Sequence, residues 1–278
     1  MSHRPPGTHR HLLIGYSSSI LLVLFYLNMF PVVKYIVRHW GTTPVLILPL
    51  LITAIALVVI FYFFLKARKV KQDQVIIIPI ILGITICLVA LAVPDPEAPV
   101  KRIHVIEYML LSLLIRYTMS VRLQGIALLF FSVFFASLLG VHDELLQGLH
   151  PLRTYGIRDI LVNALGSAGG GLIWHGFKLF ENKGEAYDKT ISPPGFIYFY
   201  PAWLFCSVLA FFIPLYSFRE KLLPLWPAFP LIVSLILFIA IKPKLLSPFS
   251  HGIRAVSYAS FTLLTYLIVA RLFHISFF

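Results

Sequence analysis

Long apolar runs, separated by short charged or proline-containing connectors, recur along the whole chain. Nine such runs have about the length needed to cross a bilayer, ~20 residues each, and no stretch between them is long enough for a separate soluble domain. Hydrophobic residues make up 59% of the sequence and charged residues only 12%, whereas soluble domains carry about 25% charged residues. A single water-soluble domain is therefore excluded, and the sequence predicts a polytopic membrane protein.

The predicted fold class is all-α: an integral membrane bundle of about nine transmembrane helices, or eight if the short fourth or the glycine-rich sixth is re-entrant. The predicted spans are 12–33, 44–65, 75–93, 103–119, 125–142, 157–180, 196–217, 224–241 and 252–274. They form three parts: an N-terminal two-span segment (1–74), a four-span core (75–182) and a C-terminal three-span segment (183–278).

The net charge of +12 could suggest a nucleic-acid partner. The basic residues are scattered through the connectors, however, which is how positive charge sets membrane topology and meets anionic lipid headgroups. We therefore expect membrane lipids as partners and no nucleic acid. The N-terminal segment and every second connector after it lie on one side of the membrane. This set includes Lys66–Lys71 and holds 14 of the 23 Lys and Arg residues. Since the more basic side is usually cytoplasmic, the count predicts a cytoplasmic N-terminus and an external C-terminus.

Polar residues are concentrated at three ends of the predicted core spans. Chain parity requires the start of the fourth span, the end of the fifth and the start of the sixth to share one side of the membrane. By the charge count that side is external. Sequence-distant acids, a histidine and arginines should therefore converge on one membrane face.

The fourth span carries His104, Glu107 and Tyr108 at spacing i, i+3, i+4, which places them on one helical face. An acid just inside a span is energetically costly and normally has a partner. Two interpretations stay open here. In the first, these residues are a general acid/base pair or bind a ligand. In the second, they form a structural hydrogen-bond network that holds a short helix to its neighbours.

At the end of the fifth span, Asp143, Glu144 and Gln147 form a polar stripe if the chain is helical. Two adjacent carboxylates repel each other unless they are protonated, metal-bound or paired with cations. Arg153 and Arg158 are the nearest candidate cations in sequence. The alternative is a solvated helix end with no further role.

The sixth span places Asp159, Asn163, Gly166 and Gly170 on one continuous helical face. Gly166 and Gly170 form a GxxxG pair that lets another helix approach closely, and Asp159 could cap the helix start. A site built from carboxylates could in principle hold a hard divalent cation. The sequence contains neither an HExxH pattern nor a CxxC pair of metal-binding cysteines. We therefore predict neither a metal nor a cofactor.

These residues carry a family resemblance. The pattern His104-x3-Tyr108, Asp143-Glu144-x2-Gln147 and Arg153-x5-Asp159-x3-Asn163-x2-Gly166-x3-Gly170 resembles the VanZ-like family of bacterial membrane proteins, over about residues 75–180. Pro151-Leu152-Arg153 departs from the Pro-Gly-Arg usual in that family. The resemblance implies a multi-pass protein of the bacterial plasma (inner) membrane with a role in the cell envelope, linked to glycopeptide (teicoplanin) resistance. It does not establish an enzyme.

Three hypotheses follow for the polar face. The first is a pocket that binds or handles an envelope lipid or cell-wall precursor; the second is a membrane-embedded enzyme acting on a lipid-linked substrate; the third is a structural scaffold. The catalytic candidates are His104, Glu107 and Asp143. The ligand-binding candidates are Tyr108, Glu144, Gln147, Arg153, Arg158, Asp159 and Asn163. No protein partner follows from the sequence.

Overall fold

The computed structural model describes residues 8–70, 75–94, 99–149, 153, 156–181, 196–218, 221–241 and 249–277. Throughout these ranges the regular structure is helical, without strands. The helices are α1 (Thr8–Leu27), α2 (Phe30–Trp40), α3 (Thr43–Val70), α4 (Ile77–Ala90), α5 (Ile103–Met119), α6 (Gly125–Gly148), α7 (Ile157–Gly176), α8 (Phe196–Ser217), α9 (Phe229–Ile241), α10 (Phe249–Phe261) and α11 (Leu263–Leu272). Short 3₁₀ turns, Pro99–Arg102 and Trp226–Ala228, precede α5 and α9.

Each predicted span overlaps a helix or a consecutive pair of helices, which confirms the predicted all-helical fold. Helices of sufficient length and apolar character to cross a membrane occupy Thr8–Trp40, Thr43–Tyr62, Gly125–Gly148 and Phe249–Leu272. Shorter apolar helices occupy Ile77–Ala90, Phe199–Phe212 and Trp226–Ile241. The boundaries of the three predicted parts, near 74 and 182, fall in or beside residues outside the described ranges.

Two predicted span ends differ from the structure by more than five residues. The polar stretch 34–40, expected to be a connector, is helical and forms most of α2. Pro31 lies in the first turn of this helix, and Gly41, with φ 76°, caps its C-terminal end. The N–H groups of a first helical turn have no acceptor within the helix, so a proline there sacrifices no hydrogen bond. Glycine tolerates a positive φ and therefore favours the C-terminal end of a helix. Helix α6 runs to Gly148, well past the predicted end at 142, so the polar stripe lies within the helix.

Helix α7 occupies the centre of the packed core, against α4, α5 and α6. A Cβ on Gly166 would lie 2.8 Å from the carbonyl oxygen of Val105, and one on Gly170 would lie 2.9 Å from the Cα of Met109. The predicted close helix approach at the GxxxG pair is therefore confirmed, and α5 is the partner helix. On the other face of α7, Gly169 makes an equally close approach to Cys87 of α4.

Large apolar side chains cover much of the outer surface. Leu13, Val58, Ile78, Ile126 and Leu272 are each about two-thirds exposed or more, at 69%, 67%, 77%, 68% and 69%. Monomeric soluble proteins rarely expose apolar surface on this scale. The outward-facing residues are suited to lipid, in agreement with the predicted membrane protein.

Candidate functional site

The beginnings of α5 and α7 meet the end of α6, and side chains from all three helices interlock there. Tyr108 of α5 donates a hydrogen bond to Oδ2 of Asp143 on α6 at 3.0 Å. The backbone N–H of Gly156, just before α7, donates to Oε2 of Glu144 at 3.3 Å. We call the assembled group the polar cluster. Its members are Lys101, His104, Glu107, Tyr108, Asp143, Glu144, Gln147, Asp159 and Asn163.

His104 and Glu107 form a pair on one turn of α5. The Nδ1 atom of His104 lies 2.8 Å from Oε2 of Glu107, and each side chain is 9% exposed. Helix α1 closes over the pair, because the hydroxyl of Tyr26 donates to the carbonyl oxygen of Glu107 at 3.1 Å. A carboxylate on Nδ1 fixes the ring orientation of a histidine and leaves Nε2 available for a proton or a ligand.

Asp143 and Glu144 are adjacent and fully buried. Gln147 lies close to both carboxylates and donates to Oε1 of Glu144 at 3.2 Å. Since both Glu144 oxygens and one Asp143 oxygen accept hydrogen bonds, the repulsion expected for neighbouring acids is partly offset. The other Asp143 oxygen, Oδ1, is buried and accepts no hydrogen bond from a described residue.

The cation for Asp159 is Lys101, which lies in the 3₁₀ turn before α5. Sequence reasoning proposed Arg153 and Arg158 as cations of this face and missed Lys101. The sequence did hold a signal for this pair. Lys101 lies just before the fourth span, at the end of the bundle that also holds Asp159. Asp159 lies in the first turn of its helix, whose N-cap residue is Gly156.

The two predicted arginines lie at the edge of the polar cluster. Arg153 donates from Nη1 to the carbonyl oxygen of Leu27 at 2.7 Å, which satisfies an acceptor at the C-terminus of α1. Arg158 is an exposed residue in the first turn of α7. Both therefore lie at the same end of the bundle as the acids.

Asn163 reaches the interior of the cluster because Gly140 faces it. A Cβ on Gly140 would lie 2.8 Å from the Cβ of Asn163 and 3.1 Å from Cε1 of Tyr108. The amide nitrogen of Asn163 is 3.5 Å from the Gly140 carbonyl oxygen, a long contact for a hydrogen bond. The amide oxygen, Oδ1, is buried and accepts no hydrogen bond within the described part of the chain.

The polar cluster has more acids than bases. Four carboxylates share the space with Lys101 and His104, and the arginines are peripheral. Across the described ranges, no group of three or more His, Cys, Asp or Glu side chains is arranged to hold a metal ion. What the cluster offers chemically is acceptor oxygens, which suit a ligand that presents hydroxyl, amide or ammonium donors.

Comparisons with protein-family models, with curated proteins and with solved structures give no match to this chain. The resemblance to the VanZ-like family therefore depends on the residues and spacings quoted above and stays a prediction. The structure brings the ten predicted site residues to one end of the bundle, and the roles assigned to them also stay predictions.

Proposed function

We propose that this chain is a nine-span protein of the bacterial plasma membrane that binds the headgroup of an envelope lipid or cell-wall precursor in its polar cluster. In this proposal the N-terminus is cytoplasmic, the C-terminus is external, and the cluster lies in the external half of the membrane. A VanZ-like contribution to teicoplanin resistance would follow from handling such a precursor.

One observation carries the proposal. Oδ1 of Asp143 and Oδ1 of Asn163 are buried acceptors that receive no hydrogen bond from any described residue. Leaving a buried acceptor unsatisfied costs about 1–3 kcal/mol. A sugar or peptide headgroup supplies hydroxyl and amide donors that would satisfy both atoms, and the peripheral Arg153 and Arg158 would meet a phosphate.

A second candidate function is favoured by the His104–Glu107 pair. A histidine oriented by a carboxylate is a common arrangement for proton transfer in enzymes, and a buried acid within the same cluster is a candidate general base. Here His104 would move the proton, Glu107 would orient it, and Asp143 would activate the attacking group on a lipid-linked substrate.

The test is Asp143→Asn, which keeps the shape of the side chain but removes its charge and one pair of acceptor lone pairs. Purified protein in nanodiscs would be titrated with a polyprenyl-pyrophosphate carrying a disaccharide and peptide. We expect at least a tenfold loss of affinity, with expression and melting temperature near wild type. The matched control is Glu181→Gln, which removes a carboxylate at the other end of the bundle and should leave affinity unchanged.

The outcomes separate the hypotheses. Loss of folding in Asp143→Asn would indicate a structural network and contradict the binding site. Wild-type affinity together with wild-type stability would show that the charge of Asp143 serves neither binding nor folding, and would contradict the binding site. Appearance of a cleaved product during the titration, lost in Asp143→Asn and His104→Gln, would favour the enzyme. In cells, expression of the wild type should raise the teicoplanin concentration needed to stop growth, and Asp143→Asn should not.

A further inference from the structure

A cavity of about 580 Å³ lies between α1, α6, α10 and α11, and no member of the polar cluster lines it. On α6 its wall runs from Phe135 through Leu139 and His142 to Leu146, all on one helical face. At 1.5 Å per residue this wall is about 16 Å long. That length is about half of the ~30 Å hydrocarbon core, which is the depth occupied by the acyl chains of one leaflet.

One end of the cavity is basic. Arg254 and His251 of α10 line it, and the hydroxyl of Tyr16 lies 2.9 Å from Nε2 of His251. Arg122, from the connector between α5 and α6, acts electrostatically on the same imidazole as Arg254 does. Two basic side chains therefore line this end, and Arg122 acts on one of them from outside the cavity lining.

No described acid neutralises these arginines. The structure describes five acidic residues: Glu107, Asp143, Glu144 and Asp159 belong to the polar cluster, and Glu181 pairs with Arg116. Within the described ranges, neither Arg122 nor Arg254 forms an ion pair, and the buried Nε atom of Arg122 has no hydrogen-bond partner. Guanidinium groups gathered without a counter-charge favour a bound anion, and phosphate suits their geometry.

We propose that this cavity is a binding site for an anionic phospholipid. The lipid phosphate lies between Arg122 and Arg254, and one acyl chain extends along α6 between α1 and α10. The site is separate from the proposed headgroup site and does not depend on it. The basic end is the one nearer the start of α6, and the apolar wall runs from it along α6 to Leu146, beside the polar cluster.

The walls of the cavity argue for a lipid rather than a free phosphate ion. Beyond the basic end, Ile20, Val23 and Leu24 of α1 face Leu139 and Leu146 of α6 across the cavity. Contact with this apolar wall would add nothing to the binding free energy of a small anion, whereas an acyl chain would bury its own apolar surface against the wall. The charge at one end and the apolar wall beyond it match the two parts of a phospholipid.

Native mass spectrometry of the purified full chain in detergent tests the proposal, with phosphatidylglycerol and phosphatidylcholine of identical acyl chains as probes. We expect the wild type to bind phosphatidylglycerol at least tenfold more tightly. Arg254→Gln, at an exposed residue, should reduce this preference several-fold, and the double variant Arg122→Gln/Arg254→Gln should abolish it. Arg10→Gln, an exposed basic residue outside the cavity lining, is the charge control and should behave as wild type.

A second pair of variants tests the acyl-chain part of the site. Ile20→Trp should fill the cavity and weaken both lipids about tenfold, whereas Leu21→Trp, at the exposed neighbouring residue that does not line the cavity, should change neither. Retention of the phosphatidylglycerol preference in the double arginine variant would overturn the proposal. Wild-type lipid binding in Ile20→Trp, or displacement of phosphatidylglycerol by an equal concentration of inorganic phosphate, would also overturn it. Asp143→Asn should leave this binding intact, which distinguishes it from the headgroup site.

Discussion

At the scale of single residues, each buried acid that the structure describes has a different kind of partner. Asp159 has the ammonium of Lys101, Asp143 has a tyrosine hydroxyl, and Glu144 has a backbone N–H and an amide. At the other end of the bundle, Glu181 accepts from the buried guanidinium of Arg116 at 2.7 Å. Burying an unpaired charge in an apolar bundle costs a large amount of free energy. Substitution of one partner therefore leaves the other buried without its compensating contact.

Lys101→Met tests the ion pair with Asp159. The buried carboxylate would lose its cation. Breaking a fully buried pair from one side costs about 3–5 kcal/mol, and the cost here should be smaller because the Lys101 side chain is 26% exposed. We expect a clear fall in melting temperature in detergent. The double variant Lys101→Met/Asp159→Asn removes both charges and should recover most of that loss. Equal stability of Lys101→Met and wild type would mean that the pair contributes nothing to the fold.

Glu181 lies beyond the end of α7 and permits a pH test. Burial alone would raise its pKa, but hydrogen bonds and charge from His175 and Arg116 outweigh burial and lower the pKa of this carboxyl. A lowered folded-state pKa gives stability that is present above the unfolded value, about 4.3 for Glu, and that is lost as pH falls through the folded value. We expect Glu181→Gln to melt several degrees below wild type at pH 7.

The same comparison made at lower pH gives the control. Below about pH 4.3, the melting temperatures of wild type and Glu181→Gln should converge, because the wild-type carboxyl is then being protonated as well. A difference that stays constant from pH 7 to pH 3.5 would show that the ionised form of Glu181 is not what stabilises the fold.

At the scale of helices, α7 determines how tightly the core can close. Its small residues let α5 approach on one face and α4 on the other, and this approach brings Tyr108 and Asn163 to the same side of Gly140. The polar cluster therefore depends on glycines that carry no chemistry of their own.

Gly166→Ala tests this dependence, because the sign of the change in stability differs between an open helix and a close helix contact. In an open helix the change from Gly to Ala stabilises by about 1 kcal/mol. Here the new Cβ would lie 2.8 Å from a backbone carbonyl oxygen of α5, which cannot move aside as a side-chain end could. We expect a net destabilisation of about 1–3 kcal/mol, measured by thermal unfolding in detergent. A gain in stability would contradict the observed packing of α5 on α7.

At the scale of the whole molecule, the fully buried acids and the arginines without a described counter-charge lie toward opposite ends of the bundle. The acids of the polar cluster lie at the end that holds the start of α5. Arg122, just before α6, and Arg254, in the cavity lining, lie toward the other end, and neither forms an ion pair within the described ranges. If the bundle spans the membrane as proposed, the basic end faces the cytoplasm.

Cysteine labelling tests this orientation. In a background with Cys87 and Cys206 replaced by Ser, Lys69→Cys should react with a membrane-impermeant maleimide only after the cells are permeabilised. Lys221→Cys, in the connector between α8 and α9, should react on intact cells because parity places it on the opposite side. Labelling of residue 69 on intact cells, with residue 221 protected, would reverse the proposed topology.

By itself the sequence determined that the chain is helical and apolar, where the helices lie, and which three ends share one side. These properties follow from run length, hydrophobic composition and the counting of spans, all of which are local or topological. The spacing of Gly166 and Gly170 also predicted a close helix contact, since only the absence of a side chain is needed to permit one.

Only the tertiary structure decided which partners the polar residues have. Lys101 rather than an arginine pairs with Asp159, Arg153 reaches the end of α1, and Tyr26 closes over Glu107. Each of these contacts depends on the rotation and depth of one helix relative to another. These are set by the summed packing of whole helix faces, and no periodicity within a single segment records them. The cavity between α1, α6, α10 and α11 is decided in the same way, because it is the space that the faces of these helices leave unfilled.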